Sequence, residues 1–173
     1  MCIRDRLKTC GIRGFNLTMP NKNKIVELLD ELSPEAQLIG AVNTVLNDNG
    51  KLIGYNTDGY GFMQSVRDAG HDITGKNITV MGVGGASMAI CAQSALDGAA
   101  SVHIFARRTS RYWNRTQKFA ENLSAKTGCQ VCLFDNDDHT ALRNSIAQSY
   151  LLINATSVGM VPDIDNTIIK DTS

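Results

Sequence analysis

Short apolar runs alternate with amphipathic stretches along the second half of the chain. The apolar runs are rich in β-branched residues and have strand length, whereas the stretches between them have helical periodicity. The predicted order is strand 77–82, helix 85–97, strand 101–106, helix 112–126, strand 129–134, helix 138–148 and strand 150–154. Such alternation predicts parallel βαβ units with right-handed crossovers, and therefore a doubly wound α/β sheet of the Rossmann type.

The first part of the chain has a different pattern. Phe15, Leu17 and Met19 alternate with Asn16 and Thr18, so a strand here would turn its apolar side chains to a core and its polar ones to the opposite face. Asn16 and Thr18 are therefore candidates for a ligand-facing surface.

Two helices and a hairpin are predicted next. After Pro20, apolar residues at 25, 28, 29 and 32 have the spacing of an amphipathic helix, and Ser33-Pro34 predicts the start of a second, short helix. Residues 42–46 and 51–55 flank Asn49-Gly50, a pair suited to the positive φ angles of a tight hairpin turn. A further helix is predicted from Asp58 to about Ala69, with Asp58 as its N-cap.

Composition restricts the classes of function. The chain has 173 residues, with 17 Lys and Arg against 17 Asp and Glu, so no overall charge favours nucleic acid or a membrane surface as a partner. That length suits one domain, or a small domain and a larger one. No apolar stretch is long enough to span a bilayer, and no signal-peptide core follows the charged start, so a cytoplasmic protein is expected.

The cysteines give no sign of a disulfide framework or a metal site. The five are Cys2, Cys10, Cys91, Cys129 and Cys132. Cys129 and Cys132 form a C-x-x-C pair, but in a predicted strand this spacing points them to opposite faces, and no second pair is present. We therefore predict free thiols and no metal.

A glycine-rich turn between the first predicted strand and helix of the second half predicts a cofactor. Its sequence is Gly82-Val-Gly84-Gly85-Ala86-Ser87. Gly82 permits a tight turn, Gly84 lets the backbone approach a pyrophosphate, and the helix that follows offers free N–H groups to the anion. The alternative is a tight βα turn that binds nothing.

The next predicted strand ends in Ala106-Arg107-Arg108-Thr109-Ser110. In dinucleotide sites this end lies beside the adenine ribose, where an acidic residue favours NAD. Two guanidinium groups favour a 2′-phosphate instead, so NADP is preferred to NAD. A solvated basic loop is the alternative.

Lys22 and Asp58 are the candidate acid–base residues. In the first turn of the predicted helix after Pro20, Lys22 would face the positive end of the macrodipole, which disfavours a cation and suits proton transfer near neutral pH. A carboxylate paired with Lys22 would hold its ammonium group in place, and Asp58 could supply it. The alternatives are an exposed lysine and a plain N-cap aspartate.

Five motifs together resemble the shikimate dehydrogenase family. They are Gly14-Phe-Asn16-Leu-Thr18-Met-Pro-Asn-Lys22, Gly40-Ala-Val-Asn43-Thr44, Gly54-Tyr-Asn56-Thr57-Asp58-Gly59, Gly82-Val-Gly84-Gly85-Ala86-Ser87 and Asn154-Ala-Thr156-Ser157-Val-Gly159-Met160. The resemblance covers about Gly11 to Pro162. Met19-Pro20-Asn21-Lys22 is also similar to the quinate/shikimate branch of the family.

The resemblance implies reversible, NADP-linked reduction of the 3-carbonyl of 3-dehydroshikimate, in aromatic amino acid biosynthesis. It implies that Lys22 and Asp58 are catalytic and that the substrate is bound by Asn16, Thr18, Lys22, Asn43 and Asp58. It assigns the pyrophosphate to Gly82, Gly84, Gly85, Ala86 and Ser87, the 2′-phosphate to Arg107 and Arg108, and the nicotinamide side to Thr156, Ser157 and Met160. A homodimer is compatible with it.

The chain also departs from the family pattern. Residues 1–10 do not match the family's first strand and its serine pair, and the family continues past Ser173. We therefore expect an internal fragment, with residues 1–57 as a partial substrate-binding domain and 58–173 as an incomplete NADP-binding Rossmann domain.

Three alternatives remain open. The chain could be a quinate/shikimate dehydrogenase that uses NAD or NADP, although Thr109 stands where that branch tends to have the acidic residue that allows NAD. It could be a truncated module that binds NADP without turnover. A methylene-tetrahydrofolate dehydrogenase is a third reading, against which the motifs around Lys22 and Asp58 argue.

Overall fold

The computed structural model describes residues 3–169. The helices of this part are α1 (Ile3–Thr9), α2 (Pro34–Ile39), α3 (Asp58–Asp68), α4 (Gly85–Leu96), α5 (Trp113–Thr127) and α6 (His139–Gln148). The strands are β1 (Gly14–Asn16), β2 (Glu31–Leu32), β3 (Thr44–Asp48), β4 (Lys51–Tyr55), β5 (Asn77–Met81), β6 (Ser101–Ala106), β7 (Gln130–Asp135) and β8 (Leu151–Asn154). Cys2 lies outside the described residues.

The last four strands form a parallel sheet in the order β7-β6-β5-β8. Each predicted strand and helix of this half is present within one or two residues, so the βαβ interpretation is confirmed. Ile78, Val80, Val102 and Ile104 of the two central strands are fully buried, because helices cover the sheet. All four strands therefore present their carboxyl ends at one edge.

The first four strands form a second sheet in the order β1-β3-β4-β2. β1, β3 and β4 are antiparallel, and β2 runs parallel to β4. The predicted hairpin is confirmed: Asn49 has a φ of 50° and Gly50 a φ of 92°, as a tight two-residue turn requires. A small core that includes Val42, Val45 and Leu52 lies against this sheet.

The prediction of an amphipathic helix after Pro20 is wrong. Residues 19–25 form turns, a single 3₁₀ turn covers Val26–Leu28, and the chain then enters β2. The Asp30 amide donates to the Leu52 carbonyl instead of continuing a helix, so pairing with β4 overrides the local periodicity. Leu29 and Leu32 still pack on the small core, but from extended backbone.

Three smaller features differ from or extend the predictions. β1 ends at Asn16, so Met19 lies beyond the strand and is 68% exposed, not in the core. The helix α1, which the charged sequence did not suggest, is held to the chain by a hydrogen bond from Arg4 to the Leu28 carbonyl. The predicted helix at Ser33-Pro34 is α2, and the Ser33 hydroxyl accepts from the Ala36 amide.

Within residues 3–169, no helix is both long and apolar enough to cross a membrane.

Candidate functional site

A cleft of about 610 Å³ lies between the first sheet and the glycine-rich turn. On one wall are Lys22 and Asp58, and on the other are Gly84, Gly85 and Ala86. Lys22 precedes Gly84 by 62 residues and Asp58 precedes it by 26, but the fold brings both candidate acid–base residues to face the candidate cofactor loop.

Lys22 and Asp58 form an ion pair. The Lys22 ammonium group donates to Asp58 Oδ2 at 2.6 Å, and the two side chains are 21% and 38% exposed. The predicted pairing is therefore present in the geometry. Lys22 does not lie at a helix N-terminus as predicted, because turns surround it, so no helix dipole acts on it there. A hydrogen bond from the Val42 amide to the Lys22 carbonyl holds its backbone beside the sheet.

Asn43 supports the carboxylate of this pair. Its Nδ2 donates to Asp58 Oδ1 at 2.8 Å and to Thr57 Oγ1 at 3.0 Å, while its Oδ1 accepts from the Thr57 amide. Asn43 is buried. Both oxygens of Asp58 are thus used, one by Lys22 and one by Asn43, and Thr57, not Asp58, occupies the N-cap position of α3.

The hydrogen bonds extend to the edge of the first sheet. Asn16 Nδ2 donates to Thr44 Oγ1 at 3.0 Å, and that hydroxyl donates to Asn43 Oδ1 at 2.9 Å. Asn16, the last residue of β1, and Thr18, two residues beyond it, are both exposed. One continuous polar array therefore runs from Asn16 to Lys22.

Two members of the array were not identified as site residues from the sequence. Thr44 joins Asn16 to Asn43, and Asn56 accepts from the Asp58 amide while donating to the Ala41 carbonyl. Asn56 is 3% exposed. Both lie inside the quoted motifs, but their contacts depend on the register of β3 and β4, which the sequence pattern does not fix.

The glycine-rich turn has the shape of an anion cradle. Gly82 has a φ of 111°, and a Cβ there would come within 2.9 Å of the Ala155 carbonyl oxygen, so the turn requires glycine. A Cβ on Gly84 or Gly85 would instead meet nothing within 4 Å, which leaves open space above the first turn of α4. Gly84 is the N-cap of α4 and has no side chain to satisfy its amides.

Ser87 contributes differently from its neighbours. The residue is 1% exposed, and its hydroxyl donates to the Gly82 carbonyl at 2.6 Å, so the side chain is turned inward and away from the open space over the turn. On the buried side it lies next to Cys91, where burial raises the pKa of the thiol to about 12. Ser87 thus closes the turn against the helix.

A second cleft of about 570 Å³ adjoins the glycine turn and follows the carboxyl ends of the parallel strands. Arg107, Thr109 and Ser110 line it after β6, and Thr156 and Ser157 line it after β8. The Arg108 guanidinium group lies 4.6 Å above the Trp113 ring, so it is stacked beside the cleft rather than lining it.

Two further arginines were missed by the sequence interpretation. Arg111 lines the second cleft and stacks on Tyr112 at 4.7 Å, and Arg115 lines the first. They lie on either side of Trp113, the first residue of α5, and no sequence motif marks them.

Met160 is one of six predicted site residues that line neither cleft; the others are Asn16, Thr18, Asn43, Ser87 and Arg108. Met160 is 63% exposed and lines a separate depression of about 510 Å³ formed by residues 157–168. Within residues 3–169, no group of three or more His, Cys, Asp or Glu side chains is arranged to hold a metal ion.

The sequence and the fold are both similar to those of known proteins. Residues 2–45 match the family profile described as the shikimate dehydrogenase substrate binding domain. A shikimate dehydrogenase (NADP(+)) of Listeria innocua is 49% identical over 94% of this chain and 55% of its own length. The chain thus spans about half the length of this curated relative.

Solved structures give the same picture. The crystal structure of shikimate 5-dehydrogenase from Listeria monocytogenes, in complex with shikimate and NAD, has a TM-score of 0.95 and 46% identity, over 98% of this chain and 58% of that one. A shikimate dehydrogenase in complex with NADP+ has a TM-score of 0.76 and 36% identity, over 95% and 55% of the two chains.

Proposed function

The chain belongs to the shikimate dehydrogenase family, and we propose from this premise that it acts as part of an NADP-linked oxidoreductase that interconverts shikimate and 3-dehydroshikimate. The observation that carries the proposal is the ion pair of Lys22 and Asp58 on the wall of a cleft whose other wall is the glycine-rich turn. An acid–base group and a dinucleotide cradle facing one space are what a carbonyl reduction needs.

Lys22 is the proposed proton donor and acceptor. Reduction of a carbonyl develops negative charge on its oxygen, and the Lys22 ammonium group would donate the proton that neutralises it; in the reverse direction the neutral amine would take the hydroxyl proton. Asp58 would hold the amine at the reacting oxygen through the 2.6 Å hydrogen bond. Asn43, bonded to the other oxygen of Asp58, would keep that carboxylate from rotating.

The ring hydroxyls of the substrate would meet the polar array on the first sheet. We assign Asn16, Thr18 and Asn43 to them, together with Lys22 and Asp58. Their support is position: Asn16 and Thr18 are exposed at and just beyond the end of β1, and Asn16 connects to Asp58 through Thr44 and Asn43. Hydroxyl groups can both donate to and accept from such amide and hydroxyl groups.

The residues of the second half fit a dinucleotide phosphate. The open space over Gly84 and Gly85 suits a pyrophosphate, and so does the N-terminal turn of α4, which is formed by Gly85, Ala86 and Ser87. Arg107, at the end of β6, suits a 2′-phosphate, with Arg108 stacked beside it. We assign the nicotinamide side to Thr156, Ser157 and Met160. When bound, NADP supplies or accepts the hydride.

The test replaces Lys22 and a matched neighbour. Lys24 is an exposed lysine two residues further along the same turn, so Lys24→Ala controls for loss of a positive charge. Lys22→Ala is expected to lower NADP-dependent oxidation of shikimate by about 10²- to 10⁴-fold, with NADP binding unchanged, whereas Lys24→Ala keeps the parent rate. Equal rates for the Lys22→Ala and parent chains would refute the assignment.

Three further parts of the proposal concern specificity and setting. Shikimate with NADP is preferred, and parallel assays with quinate and with NAD rank the alternatives; the similar Listeria monocytogenes structure contains NAD. A cytoplasmic location is supported by the free thiols of Cys10, Cys91, Cys129 and Cys132, which suit a reducing compartment. We also propose a homodimer, which sedimentation velocity would test.

A further inference from the structure

Asn136 has an acceptor without a partner beside the second cleft. Its Oδ1 exposes less than 1 Å² and receives no hydrogen bond from any residue in the described part of the chain. The residue itself is half-buried and is one of those that line the cleft. A buried acceptor left without a donor costs free energy, which a ligand donor can recover.

The position of Asn136 in the sheet indicates which part of a dinucleotide it meets. It follows β7 directly, and its amide donates to the carbonyl of Ala106 at the end of β6. The strand order places the pyrophosphate turn after β5, the arginine loop after β6, and Asn136 one strand further outward. A dinucleotide lying along these strand ends would have its pyrophosphate, then its ribose, then its base at successive strands.

We propose that Asn136 recognises the adenine base, with Oδ1 accepting a hydrogen bond from the exocyclic amino group. This inference rests on the proposed dinucleotide cofactor. The terminal amide of asparagine turns about a soft torsion, so the oxygen can leave its buried position when a donor enters the cleft. The neighbouring Asp135 does not line this cleft, and its Oδ1 accepts from the Asp137 amide.

The test compares NADP+ with its hypoxanthine analogue, in which a carbonyl oxygen replaces the amino group. Binding of each to the 173-residue chain is measured by isothermal titration calorimetry, a readout independent of turnover. The parent chain is expected to bind NADP+ about fivefold more tightly than the analogue, the difference that one hydrogen bond makes. Asn136→Ala is expected to remove this preference, because it weakens the binding of NADP+ and leaves that of the analogue unchanged.

Two variants make the comparison specific. Asn136→Asp retains an acceptor and cannot donate to the carbonyl of the analogue, so it keeps or widens the preference for NADP+. Asn144→Ala, at an exposed asparagine of α6, leaves the parent preference unchanged.

The outcomes separate this inference from the proposed function. Equal affinities of the parent chain for both dinucleotides, or the same preference in Asn136→Ala, would overturn the adenine contact while the cofactor assignment stands. Equal weakening of both ligands in Asn136→Ala would place the contact on the ribose and overturn it too. Failure of the parent chain to bind either dinucleotide would overturn the cofactor proposal and this inference together.

Discussion

At Gly59 the helix α3 packs closely against α4, and we predict that a single added methyl group there disturbs the site. A Cβ on Gly59 would lie 2.2 Å from the Ala89 carbonyl oxygen and 2.9 Å from Gln93 Cβ. Ordinary contact begins at 3.4 Å, so the helices must separate by about 1 Å in Gly59→Ala. Asp58 precedes Gly59 and would move with it, away from the position that pairs with Lys22.

The size of the effect follows from two opposing terms. Overpacking of a closely packed interface typically costs about 1–3 kcal/mol. Replacing glycine by alanine within a helix stabilises the folded state by about 0.5–1 kcal/mol. We therefore expect Gly59→Ala to lower the free energy of unfolding by about 0.5–2 kcal/mol, the balance of these terms. A displacement of about 1 Å at the acid–base pair is expected to lower turnover by up to about 10²-fold.

Gly61 provides the matched control on the same helix. A Cβ there would meet nothing within 4 Å, and the residue is exposed, so Gly61→Ala is expected to stabilise the chain by about 0.5–1 kcal/mol. Urea denaturation of both variants, read as a shift in midpoint at constant m-value, measures the difference. Stabilisation by both substitutions would refute the argument, since it would mean that α3 and α4 are not in close contact at Gly59.

Three other predictions concern charge and titration. Arg107→Ala is expected to weaken the binding of NADP+ about tenfold and to leave the affinity for NAD+ unchanged. If calorimetry showed both affinities weakened equally, the assignment of Arg107 to the 2′-phosphate would be wrong. Burial raises the pKa of Cys91 to about 12, so the exposed Cys10 should react with a thiol reagent first, and peptide mapping that finds Cys91 modified at the same rate would contradict the burial. Burial also lowers the pKa of His103 below its ordinary value of about 6.5, so the unfolded chain binds the proton more readily. The chain should therefore lose stability as the pH falls through about 6.5, and less so in His103→Gln; an NMR titration midpoint above 6.5 would reverse this sign.

The second half of the fold follows closely from sequence pattern. Ile78 and Val80 belong to a short β-branched run, and the glycine turn after it is followed by a helix, so strand, turn and helix are all encoded locally. In a parallel sheet covered on its faces, burial and strand propensity favour the same assignment. The periodicity was therefore sufficient to place the elements here.

The first half shows why periodicity alone is insufficient. Leu29 and Leu32 have helical spacing, but the chain between them pairs with β4, because the Asp30 amide and the Ser33 amide both donate to carbonyls of that strand. The local helix propensity of this segment contains no information about a pairing strand twenty residues away. The loss of this helix also removed the dipole argument for Lys22, although its pairing with Asp58 was anticipated.

Within the site, motif residues could be identified but not their contacts. Asn43 was expected to hold substrate, and its amide also supports Asp58, a role that depends on the register of β3 against β4. Ser87 occupies a fingerprint position, yet its hydroxyl turns inward to the Gly82 carbonyl. Side-chain direction follows from tertiary packing, which sequence spacing does not specify.

The most direct test of the central claim is reduction of NADP+ by shikimate, followed as the absorbance of the reduced nicotinamide, on the parent and Lys22→Ala chains with calorimetric NADP+ binding measured on both. The account predicts turnover by the parent chain, a loss of at least about 10²-fold in the variant, and equal NADP+ affinities. Equal turnover by the two chains, or no turnover by a parent chain that binds both shikimate and NADP+, would contradict it.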